Sequence, residues 1–134
     1  MRDAPAPTRA TALLDTAEAI LDGALRIGGG LQARAAALLA RQALEQALGE
    51  FWESRAPDVS RCRVRTQIQC LAAFLDPEPV AAAATAWNRL SEACHHHPYD
   101  VAPSAAEMRA WIESVRVFCD TALPQRDLEF HANA

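Results

Sequence analysis

The chain has no lysine: all 13 basic residues are arginine, set against 17 acidic residues, for a formal net charge of −4. That balance excludes a protein that coats nucleic acid by its overall field, although it leaves room for a basic patch at one site. Arginine in place of lysine throughout, together with abundant alanine, is what a GC-rich genome produces, so an arginine at any single position carries little functional information. Long apolar runs are also missing. Nothing approaches the ~20 residues of a membrane span, so no membrane partner is expected. No segment alternates with period two and no β-branched run is bounded by turn residues, so no strand is required. The four cysteines, Cys62, Cys70, Cys94 and Cys119, lack C-x-x-C spacing and fall in helical patterns. They read as reduced, partly buried thiols rather than a zinc ribbon or a disulfide framework. The opening MRDAPAPTRA lacks the apolar core of a signal peptide, and the expected location is the cytoplasm.

What is present is helical periodicity. Hydrophobic residues make up 51% and charged residues 22%, a globular composition, and 134 residues fit one domain. Leu13, Leu14, Ala17, Ile20, Leu21, Ala24 and Leu25 recur at helical spacing, predicting a helix over 9–27 that Gly28 to Gly30 stop. A long alanine-rich helix follows from Leu31 to Arg55, with Leu44, Leu48, Phe51 and Trp52 as its apolar stripe and Pro57 beyond its end. Val64, Ile68, Leu71 and Leu75 predict a third helix over 59–75. Val80, Ala83, Trp87, Leu90 and Cys94 predict a fourth that carries the chain to about His96. Ser104 with Glu107 is a capping-box signature, opening a fifth helix with Met108, Trp111, Ile112, Val115, Phe118 and Cys119 on one side. The expected fold is all-α, an up-and-down bundle of about five helices over 9–122, between a disordered 1–8 and a loose tail at 123–134. Its expected core includes Leu48, Trp52, Ile68, Leu71, Trp87, Leu90, Trp111 and Val115.

The stretch WNRLSEACHHHPYD, Trp87 to Asp100, gathers three of the chain's four histidines at a helix end. With each helical residue advancing about 100°, Arg89 and His96 share a direction nearly opposite the Trp87, Leu90 and Cys94 stripe, with Glu92 between them. Asn88 and His95 form a neighbouring line, and His97 rotates back toward the core. Three adjacent helical histidines point three ways and cannot converge on one ion, so no metal site and no cofactor are expected here.

An arginine with a histidine after four to six intervening residues, near a helix end and often followed by His-x-Tyr, resembles the HEPN superfamily of helical bundles. Here Arg89 precedes His95 by five intervening residues and His96 by six, and HPYD supplies His97 and Tyr99. The helical plan over most of 9–122 is similar as well. The resemblance implies a homodimer whose Arg and His lines face each other across a cleft, and a metal-independent ribonuclease, with an antitoxin-like protein as a possible partner in a toxin or defence module. In that reading Arg89, His96 and His95 are catalytic, and Asn88, Glu92, His97 and Tyr99 bind RNA or a nucleotide. The chemistry is sound: a histidine near neutral pKa moves the ribose proton, and an arginine holds the phosphate charge. A two-fold dimer supplies both acid and base.

The alternative is a non-catalytic dimeric helical interaction protein, in which Arg89, Glu92 and His96 are a solvated helix face. RCRVR places Arg61, Arg63 and Arg65 at a helix start, where pairing with Glu50 and Glu53 is the expected arrangement, with an anion or a partner as the other possibility. The GGG lies between helices with no preceding strand and is a terminator, not a phosphate loop. No Ser-His-Asp or Cys-His constellation has support, and no DNA partner is expected, because DNA-reading helices bring more basic residues.

Overall fold

The structure is a computed structural model that describes residues 8–24, 31–95 and 102–123. Every regular element among them is helical: α1 Arg9–Leu21, α2 Gln32–Arg55, α3 Val64–Cys70, α4 Pro77–Cys94 and α5 Ala105–Ala122. The fold is an all-α bundle. Four long helices run alternately up and down, and the short α3 lies against α4 and the end of α2. Long-range side-chain contacts give the directions. Arg109 pairs with Asp22 at 2.6 Å, and Arg116 reaches Asp15 at 2.7 Å and Glu18 at 3.2 Å, so α1 and α5 are antiparallel. The Arg34 Nε–H donates to the Cys94 carbonyl at 2.8 Å, which brings the start of α2 to the end of α4. No helix among the described residues is long and apolar enough to cross a membrane. Of the expected disordered 1–8 and loose tail 123–134, only Thr8, the N-cap of α1, and Leu123, the C-cap of α5, fall among the described residues.

Local chemistry sets the helix ends. Thr8 caps α1 by accepting from the Thr11 N–H at 3.1 Å. The periodicity of 9–27 overshoots: α1 ends at Leu21 because Gly23 takes φ +80. The Gly23 N–H returns to the Ile20 carbonyl and the Ala24 N–H to the Ala19 carbonyl, the paired closure that a left-handed glycine permits. A Cβ on Gly23 would meet nothing within 4 Å, and the same is true of Gly49 inside α2, so only backbone preference separates the two sites. Gly23→Ala is expected to lower stability by ~1–2 kcal/mol and Gly49→Ala to raise it by ~0.5–1 kcal/mol. Urea unfolding of the two variants beside the wild type reads both signs.

The segment expected as one helix over 59–75 is broken. A 3-10 turn, Val59–Arg61, gives way to extended backbone at Cys62 and Arg63 before α3, and a second 3-10 turn, Leu71–Ala73, follows it. The break persists because buried Gln67 donates from Nε2 to the Cys62 carbonyl at 2.8 Å and the Ser60 carbonyl at 3.3 Å. A side chain thus supplies the hydrogen bonds that a continuous helix would have drawn from its own backbone. Further on, α4 starts at Pro77, where a missing N–H costs nothing. The α5 capping box forms as the sequence predicts, Ser104 accepting from the Glu107 N–H at 3.1 Å and the Glu107 carboxylate accepting from the Ser104 N–H at 3.3 Å.

The core holds Leu14, Leu44, Leu48, Phe51, Trp52, Leu71, Leu90, Ile112, Val115 and Phe118, all fully buried, with Ile68 nearly so. Two core assignments are corrected. Trp87 and Trp111 are only half-buried at the edge of the bundle, Trp87 because the Arg41 guanidinium of α2 lies 5.1 Å from its ring centroid at the rim of the α2–α4 seam. Burial pushes the Cys119 thiol up to about 11, helped by Asp120 and Glu50 and opposed by Arg116. A thiol held protonated by the fold contributes stability that is fully present below its ordinary value of 9.0 and lost as pH rises to about 11. With no lysine and one tyrosine in the chain, few other groups titrate in that window. Melting temperature is therefore expected to fall between pH 9 and 11, and to fall less in Cys119→Ala. A residual slope is expected from Cys94, whose thiol burial also raises against the pull of Arg41 and Arg34.

Candidate functional site

The outer surface of α4 is polar because its apolar stripe is used up facing α2 and α5. Leu90, Ala86 and Ala93 are buried, whereas Asn88, Arg89, Glu92 and His95 are exposed. These four line one open groove of about 740 Å³, together with Thr85, the half-buried Trp87 and Ser91 of the same helix, and Arg65 of α3. Arg89 Nη1 lies 3.5 Å from Glu92 Oε2, with both side chains more than half exposed. An ion pair so open to solvent holds the guanidinium only loosely.

The helix does not reach His96. It ends at Cys94, and His95 takes the cap position with φ −103 and ψ 22, its N–H shared between the Glu92 and Ser91 carbonyls at 3.2 and 3.3 Å. The two-turn register relating Arg89 to His96 therefore stops one residue short, and His95 is the histidine that the groove brings to Arg89. His96, His97 and Tyr99 lie outside the described residues. Arg34, bonded to the Cys94 carbonyl, satisfies part of the helix end that a cationic histidine would otherwise favour.

Arg61, Arg63 and Arg65 are all exposed, and the expected pairing with Glu50 and Glu53 is not made among the described residues. Those two glutamates instead line a separate depression of about 460 Å³ with Leu13, Gln42 and Glu45. Arg65, in α3 just beyond the extended step at Cys62 and Arg63, lines the α4 groove. Sequence reasoning missed this cation as a partner of Arg89, because nothing in local periodicity relates two helices joined through a turn. It also missed the α2–α4 seam, where Arg41 Nε and Ser91 Oγ are buried without a hydrogen-bond partner among the described residues, Arg41 Nε lying 3.6 Å from Glu45 Oε1.

Two arginines from different helices, a histidine at the cap, an amide and a carboxylate are chemically suited to hold a phosphate and move a proton beside it. Among the described residues no three His, Cys, Asp or Glu side chains converge as a metal site would require. Comparison with protein families, with curated proteins and with solved structures finds no match to this chain.

Proposed function

We propose that this bundle is an HEPN-like cytoplasmic protein that holds RNA phosphates on the outer face of α4 and, paired with the same face of a second copy, cleaves the phosphodiester without metal. The observation that supports the reading is the convergence of Arg65, Asn88, Arg89, Glu92 and His95 on one groove. The arginines bind the backbone, His95 or a neighbouring histidine takes the 2′-hydroxyl proton, and the second subunit's histidine protonates the leaving oxygen. The openness of the groove fits this division of labour, since one copy provides a binding surface and two enclose the reacting bond.

The test is cleavage of a labelled RNA in the presence of a chelator, with light scattering on the same samples. Cleavage by a dimer supports the proposal; a monomer that neither binds nor cleaves RNA overturns it. One feature favours the second reading, a non-catalytic helical interaction protein: Glu92 already sits beside Arg89. Under that reading the pair is only a solvated helix face, and replacing either partner changes no RNA binding.

A further inference from the structure

Beside the α4 groove lies a second depression, of about 400 Å³, between α3 and α4. Its lining divides by chemistry. Ile68, Ala84 and Trp87 supply an apolar floor, Gln69 and Asn88 supply two primary amides, and Arg65 supplies a cation. Arg65, Trp87 and Asn88 line both depressions, so the two are continuous. Both amide side chains and the Arg65 guanidinium are exposed at this lining, so their polar ends are open to a ligand.

Each of these features suits one kind of occupant. The half-buried Trp87 indole, with the Arg41 guanidinium 5.1 Å from its ring centroid, also lines this depression and offers apolar surface to a planar ring there. Primary amides carry both donors and an acceptor, which is what reading the edge of a heterocycle requires. A phosphate attached to that heterocycle would fall to Arg65, the cation shared with the groove where the backbone is proposed to lie. Bases in a duplex are stacked and paired, and their edges cannot enter a pocket while the backbone stays on the surface.

We propose that this depression receives one unpaired nucleobase of a single-stranded RNA, packed against Trp87 and hydrogen-bonded by Gln69 and Asn88, with Arg65 on the adjoining phosphate. The inference rests on the RNA reading above and adds to it the strandedness of the substrate and the residues that sense it.

The experiment is fluorescence anisotropy with the full chain, in chelator, using a labelled single-stranded RNA oligonucleotide and the same oligonucleotide annealed to its complement. The wild type is expected to bind the single strand on the order of tenfold more tightly than the duplex, and Trp87→Leu is expected to remove about that factor for the single strand alone. Gln69→Ala and Asn88→Ala alter exposed side chains and decide the matter if Trp87→Leu proves unstable by melting; each is expected to weaken single-strand binding severalfold. Equal affinity for the two RNAs, or single-strand binding unchanged in the amide variants, overturns the base pocket. If Arg89→Ala then still abolishes binding, the RNA reading survives without it. A wild type that binds neither RNA overturns both.

Discussion

Arg89→Ala is expected to reduce metal-free RNA cleavage about 10²- to 10³-fold, the loss seen when a charge-stabilising donor is removed from a reacting centre, while leaving the melting temperature unchanged. The side chain is 56% exposed and its only described partner is Glu92, itself 69% exposed, so its removal opens no cavity and strands no buried charge. Glu92→Gln is expected to act in the opposite sense on binding. With the carboxylate gone, Arg89 no longer chooses between Glu92 and a phosphate, and affinity for RNA should rise severalfold, with a steeper salt dependence because one more cation is free to displace counterions. His95→Ala should lower cleavage with little effect on affinity, since a proton-transfer group acts on the reaction and not on the resting complex. The comparison separates roles: the arginine changes binding and rate, the glutamate changes binding, the histidine changes rate. If Arg89→Ala cleaves as the wild type does, the outer face of α4 is not the site. If His95→Ala keeps full activity while a His96→Ala variant loses it, the proton belongs to His96.

How much of this was legible in the sequence follows from what periodicity can encode. A three-four rhythm states which side of a helix is apolar, so Leu48, Leu71, Leu90 and Val115 were identifiable as core and are fully buried. It does not state how far inside each residue lies, and Trp87 and Trp111, on correctly identified stripes, stop at the edge. The capping box at Ser104 and Glu107 was readable because its chemistry is local. The end of α1 lies at Gly23 and not at the more conspicuous Gly28 to Gly30, because the apolar rhythm continues through Ala24 and Leu25 and does not register a single left-handed glycine. The break before α3 had no usable local signal, because it depends on Gln67 turning inward to carbonyls five and seven residues behind it. For the candidate site, the polar composition of α4 was evident and its convergence with Arg65 was not, since that contact belongs to the angle between two helices. The same holds for the Arg116 ties to Asp15 and Glu18, which bridge the two ends of the chain. Burial works against the Arg116 charge, and the two carboxylates more than offset it, raising its pKa above the ordinary arginine value.

Trp52→Ala is expected to cost ~3–5 kcal/mol, the range for deleting a large aromatic from a closed core, and so to remove a large part of the ~5–15 kcal/mol that holds a domain of this kind together. Trp52 is fully buried and meets Phe51 and Phe74 edge-on, with ring centroids 4.8 and 5.3 Å away, so truncation leaves a void that two rigid rings cannot fill. Trp52→Phe should behave differently, for a reason that size alone does not supply. The indole Nε1–H is buried without an acceptor among the described residues, and a stranded donor of that kind costs ~1–3 kcal/mol. Phenylalanine loses part of the packed area but also removes the stranded donor, so the two changes oppose each other and the net cost should stay within ~1 kcal/mol of the wild type. Urea unfolding followed by far-UV circular dichroism measures both variants on one scale. A Trp52→Phe variant as unstable as Trp52→Ala would mean that the indole N–H is satisfied in solution, and the unpaired donor would then have to be reassigned to a bonded one.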